Sequence, residues 1–288
     1  MTGRPARDRG LSTLFLAFLL IVSGSGVVAL KMENQGTARL QVPGSSVQYL
    51  PSGKYLKYAT LGYSSLLADI IYVWAIQYYS SPNISDRFDH LDHIFGIIAE
   101  LDPEYSEPYL IGAMIAAYEA GNPRLAIKLL ERAMDKKPDD WIFPLEAGHY
   151  AQILIKDFQT ARHYYKRAME IKDAPDFAKR LYANAAFRSD DYETALKTWL
   201  EVYQTAPDDR VRKIASNHLY QVKAGLDIKR LKEAIAQFQE RFRRRPMNLQ
   251  QLVRAGLLKS LPRDIDGNEY VYDPQTGEVT TAVIPWKR

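Results

Sequence analysis

The chain has 288 residues, 25% of them charged and 47% hydrophobic, with a formal net charge of +4. That composition excludes a wholly disordered chain and falls short of the dense basic stripe expected of a nucleic-acid binder. The absence of cysteine excludes disulfides, thiolate zinc sites, cysteine nucleophiles and lipid attachment through a cysteine.

Arg4, Arg7 and Arg9 precede residues 11–30, a run of twenty without a charge. At about 1.5 Å rise per residue, a helix of that length crosses a hydrocarbon layer of about 30 Å. Basic residues stay on the cytoplasmic side, so residues 1–10 are expected in the cytoplasm and everything from Lys31 onward outside it. The same run also reads as a signal peptide cut within the small residues 23–29. The expected location is a bacterial inner membrane, single pass, with the bulk in the periplasm. Residues 31–56 carry Gly36, Pro43, Gly44, Pro51 and Gly53 and read as a linker.

Residues 57–207 read as four helical units. A helix is expected over 58–79 and a second over 88–100. The best-marked stretch is 126–138, AIKLLERAMDKKP. Ala126, Leu130, Ala133 and Pro138 are followed 35 residues on by Ala161, Tyr165 and Ala168, with a displaced Pro175, and 34 further by Ala195, Trp199, Val202 and Pro207. Leu91, Phe95, Ile98 and Pro103 hold the same places in a degenerate first unit. A period of this size marks stacked helical hairpins that pack on their neighbours. Turns are expected at 121–123, 156–157 and 190–191, with an aspartate capping the following helix in the last two.

Gly121, Ala126, Ala133, Pro138, Ala161, Ala168, Ala195 and Pro207 make residues 58–207 resemble the tetratricopeptide repeat family. Leu110 with Ala113 and Met114, or Gly148 alone, replaces the usual tryptophan and leucine-glycine pair. The resemblance implies an all-α, right-handed solenoid of antiparallel helix hairpins, in which the first helix of each unit lines a concave groove. Carried residue by residue onto this chain, the groove takes Ile111, Ile115, Tyr118 and Glu119, then Glu146, Tyr150 and Ile153, then Arg180, Asn184, Phe187 and Arg188. That mixture suits an extended peptide or a helix of a partner protein.

Residues 208–245 read as a capping helix pair, 210–222 and 226–242, broken at Ala224-Gly225. Arg241, Arg243, Arg244 and Arg245 precede Pro246. They read as a solvated helix end whose cations complement the dipole, or as a contact for anionic headgroups or an acidic partner. Residues 246–288 are expected to form a short helix over 248–258 and a β-hairpin, since Tyr270, Tyr272 and Val279 alternate around a turn at Pro274 and Gly277. Residues 261–279 look like the C-terminal end of type II secretion pseudopilins, with Asp266 in place of the usual tryptophan. Asp264, Asp266 and Asn268 begin like a calcium loop, but Glu269 and Gln275 stand where a glycine and a bidentate acid belong. A side-chain-capped turn is expected ahead of calcium.

His90 and His93 share a helix face beside Asp89 and Asp92. Two histidines fall short of the three protein ligands of catalytic zinc. No GxSxG, Walker A or dinucleotide fingerprint occurs. The expected function is therefore a membrane-anchored, extracytoplasmic scaffold for a protein partner, with no catalytic residue, metal or cofactor and no nucleic acid. The alternatives are an accessory of a pilus or secretion assembly, and a metal- or small-molecule-dependent envelope enzyme.

Overall fold

The structure, a computed structural model, describes residues 18, 19, 21–26, 28, 29, 50–82, 84 and 86–283. The chain divides into two compact units, residues 1–50 with 83–85, and residues 51–82 with 86–288. In the first unit, the described residues between 18 and 29 are helical. The expected span 11–30 lies in large part outside the described residues, as do residues 31–49 of the linker. Among the described residues no helix is long and apolar enough to cross a membrane.

The second unit is mostly helical, with one small antiparallel sheet. Its helices are α1 (Gly53–Ala59), α2 (Ser64–Tyr79), α3 (Leu91–Leu101) and α4 (Ser106–Met114), which runs on into a π-helical turn, Ile115–Glu119. Then follow α5 (Pro123–Lys136) and α6 (Ile142–Tyr150), again extended by a π-helical turn, Ala151–Ile155. After them come α7 (Phe158–Glu170), α8 (Phe177–Arg188), α9 (Tyr192–Gln204), α10 (Asp209–Phe242) and α11 (Gln250–Arg254). From α2 to α10 consecutive helices pack on one another, and α1 lies on α3.

The phased residues explain this packing. Ala126, Ala133, Ala161, Ala168 and Ala195 have no exposed surface, and Leu130, Tyr165 and Trp199 fill the space beside them. Alanine lets a neighbouring helix approach closely, while the large residue one turn on closes the gap. Helix starts are fixed by side chains. Asn122 accepts the amide of Leu125 at 3.0 Å, Asp157 that of Thr160 at 3.0 Å, Asp191 that of Thr194 at 3.2 Å and Asp208 that of Val211 at 2.8 Å. Each supplies an acceptor to one of the free amides of a first helical turn.

Three expectations are corrected. The linker ends early, because the chain is helical from Gly53. The Ser52 carbonyl accepts from the amides of Tyr55 and Leu56, and Glu100 accepts the amide of Lys54 at 2.7 Å, so the first turn is satisfied. The helix expected over 58–79 is two helices, parted at Leu61 (φ 50°) and Gly62 (φ 100°). The expected pair over 208–245 is the single helix α10. Gly225 is no break there: a Cβ would lie 2.7 Å from Tyr192 Cε1 and 3.0 Å from Phe187 Cε2, so the glycine admits two rings against the helix.

At about 1.5 Å per residue, α10 spans two apolar clusters. Ala215 and Val222 pack with Trp199, Val202, Ala183 and Ala186 of the preceding helices. Leu231, Ile235 and Phe238 pack with Leu249, Leu252, Tyr270 and Val279 of the tail. The tail hairpin pairs β1 (Val271–Tyr272) with β2 (Val279–Thr280), Val271 opposite Thr280 and Tyr272 opposite Val279. A polar network fastens it. Tyr220 donates to Asp264 at 2.7 Å, and Tyr270 donates to the buried Asp227 at 2.8 Å, where Lys223 also bonds. The other Asp264 oxygen accepts the amides of Asp266 (3.0 Å) and Asn268 (2.7 Å), a side-chain-capped turn. The arginines are tied to the tail as well: Arg245 donates to the Gln275 carbonyl, and Arg244 to Gln251 at 3.2 Å.

Candidate functional site

The predicted groove positions fall on α4, α6 and α8, and they divide by burial. Ile115 and Tyr150 are buried, Ile111, Glu146, Arg180, Asn184 and Phe187 are half-buried, and Tyr118, Glu119, Ile153 and Arg188 are exposed. The structure brings the first two sets together. The Tyr118 hydroxyl bonds to His149 Nε2 at 3.2 Å, and its ring meets the edge of Tyr150 with centroids 5.8 Å apart. Burial first, then the charge of Glu146 and the proximity of Tyr118, raise the Tyr150 pKa, so its hydroxyl stays protonated at neutral pH.

Met114 and Tyr118 lie one turn apart on α4 and its extension, as do His149 and Ile153 on α6. Met114, Tyr118 and Ile153 are all exposed. The result is an apolar and aromatic patch laid across α4 and α6, the first helices of two successive hairpins, held in register by the hydroxyl–imidazole bond. The α8 positions do other work. Phe187 packs on Tyr192 edge to face at 5.7 Å, and the Arg188 guanidinium sits over the Phe158 ring at 4.8 Å.

A second concavity, unforeseen in the sequence, lies against α3. It is a cleft of about 1150 Å³ lined by α1, α3 and α5, with Lys54, Lys57 and Tyr58 on one wall, Arg132 and Lys136 on another, and His93 and Gly96 between. Asp92 stands in it, held by Lys128 at 2.9 Å and Arg132 at 2.7 Å. Burial pushes the Asp92 pKa up, but the bonds from Lys128 and Arg132 outweigh it and hold the carboxyl below its usual value. Asp92 is thus held by two cations. Among the described residues no cluster of three or more His, Cys, Asp or Glu side chains is placed to hold a metal ion. The signal for this cleft was the pair Lys54 and Lys57 within an apolar run, hidden by the spacer-like Pro51-Ser52-Gly53 before it.

No family model matches the chain, and no curated protein matches it.

Proposed function

We propose that this chain is a membrane-anchored, extracytoplasmic scaffold of the tetratricopeptide repeat type, a right-handed α-solenoid that holds a protein partner across α4 and α6. The observation that carries the reading is the exposed patch of Met114, Tyr118 and Ile153, fixed across two helices by the Tyr118–His149 bond. Rigid aromatic anchors with a polar tip are the side chains that dominate protein interfaces. The alanine ladder supports the repeat reading, and the arginine-flanked run 11–30 supports the anchor.

A photo-crosslinking amino acid placed at Tyr118 in the full chain tests the site in cells. The expected result is one discrete adduct, lost when Met114 and Ile153 are both replaced by alanine and absent when the crosslinker stands at Lys172. Loss of one anchor of about 2 kcal/mol weakens binding roughly thirtyfold. No adduct at Tyr118, or one indifferent to the paired replacement, refutes the patch. A reporter fused after Arg288 that works only in the cytoplasm refutes the topology.

A further inference from the structure

The outer face of α1 and α2 is built unlike the rest of the unit. Tyr55, Tyr58, Leu61 and Tyr63, along α1 and the turn after it, are each more than 70% exposed, and Leu61 is 88% exposed. On α2, Leu66, Ile70 and Val73 are more than half exposed, and their spacing puts them on one side of the helix. These seven side chains fall within residues 55–73. Leu61 stands at the tip, with φ 50°, next to Gly62 at φ 100°. That left-handed pair turns the chain sharply and holds a bare leucine outward where a polar turn residue is the ordinary choice.

Charge and chain order identify the occupant. Residues 53–68 carry Lys54 and Lys57 and no acid; Asp69, at the flank of the stripe, is the first. Lys54, Lys57 and Tyr58 are exposed and also line the cleft against α3, where Arg132 and Lys136 stand with Asp89, Asp92 and Glu100. Tyrosines beside aliphatic side chains and lysines are what the boundary between headgroups and acyl chains selects, because the ring enters while the hydroxyl and the ammonium stay wet. A protein partner of matching shape would need neither the lysine pair nor an outward leucine tip. Residues 31–52 connect this face to the uncharged run 11–30 and reach at most about 75 Å fully extended, so an anchor in that run tethers the face within that distance of a bilayer.

We infer that the α1–α2 face is a second membrane contact, in which Leu61 and its neighbouring tyrosines enter the interface of a bilayer with anionic headgroups and Lys54 and Lys57 meet those headgroups. The inference rests on the anchored reading above and extends it: the anchor tethers, and this face orients the helical stack against the surface.

The chain has no cysteine, so one introduced residue carries the test. Leu61→Cys in the full chain is labelled with an environment-sensitive fluorophore and reconstituted into vesicles of phosphatidylethanolamine and phosphatidylglycerol that contain acyl-chain nitroxide lipids. Lys172→Cys, on an exposed turn, is the control. The expected result is a blue shift and nitroxide quenching at position 61 and neither at 172. Lys54→Glu with Lys57→Glu is expected to reduce the quenching on these vesicles and to leave it unchanged on zwitterionic ones. A chain that floats with the vesicles while position 61 stays in water overturns the inference and leaves the anchor standing. A blue shift without quenching overturns it too, because then protein covers the face, either this chain's own residues or a second copy. A chain that does not float with the vesicles overturns both readings.

Discussion

Gly148→Ala isolates the rule by which the stack packs. Gly148 lies in α6 against Tyr165 of α7, and a Cβ there would stand 2.6 Å from both Cδ1 and Cε1 of that ring and 3.2 Å from Cγ. Two effects oppose each other. Alanine in a helix interior is favoured over glycine by about 1 kcal/mol, whereas overpacking a filled core costs about 1–3 kcal/mol. Tyr165 has no exposed surface, and the overlap reaches the ring near its root, so the ring has no room to retreat. The upper part of the overpacking range applies, and a net loss of about 1–2 kcal/mol is expected. The measurement is the urea midpoint followed by circular dichroism, compared at an unchanged slope. Tyr165→Leu in the Gly148→Ala background should relieve the overlap, leaving the double variant less destabilised than the sum of the two changes. A higher midpoint for Gly148→Ala alone, as in an open helix, would refute the close approach.

Two further predictions concern α10. His218 stacks on Trp199 with centroids 4.1 Å apart, and burial lowers its pKa below the usual 6.5. The unfolded chain therefore takes up a proton first as pH falls, so stability is full above about pH 6.5 and declines below it down to the folded pKa. Urea midpoints across that window should fall for the native chain and fall less for His218→Gln; equal slopes would dismiss the histidine as the cause. Tyr220→Phe removes a donor from the buried Asp264, at a cost of about 1–3 kcal/mol. Hydrogen exchange should rise over residues 264–280 and stay unchanged over α3 to α8, and a uniform rise would show that the tail is not locally held.

What could be read in the sequence was the part encoded by local spacing. The alanine ladder and the aspartate caps declare themselves within a turn or two of the residues they act on, so the helix boundaries at 121–123, 156–157 and 190–191 and the buried row follow from the residues alone. The two uses of glycine do not separate that way. Gly225 looked like a break because the rings it admits, Phe187 and Tyr192, stand more than thirty residues earlier, and nothing near it announces them. The groove suffered from a different effect. Its positions lie at fixed intervals before Ala126 and Ala161, within or beyond the π-helical turns. There the Ala120 amide bonds five residues back to Ile115 at 2.9 Å, and the Asp157 amide six residues back to Ala151 at 3.0 Å. Each widened turn shifts the helical phase of what lies before it, which is why Ile115 and Tyr150 are buried while Met114, outside the counted set, is exposed.

The two ends of the helical run are finished differently, and the difference bears on function. A stack of helices needs a polar outer face on its last members, or something to cover an apolar one. At α10 the chain supplies its own cover. Leu231, Ile235 and Phe238 are buried beneath the tail, and Asp227 and Asp264, accepting from Tyr270 and Tyr220, lock that tail down. At α2 the chain supplies nothing of the kind among the described residues, although α2 carries apolar side chains around most of its circumference, with Asp69 and Gln77 among them, and its inner residues Ala68, Ile71 and Ala75 are already buried. A helix of that character is one built to be covered on more than one face. Some forty residues cover one end, while among the described residues Leu66, Ile70 and Val73 stay exposed at the other; the bilayer contact proposed above would cover them there.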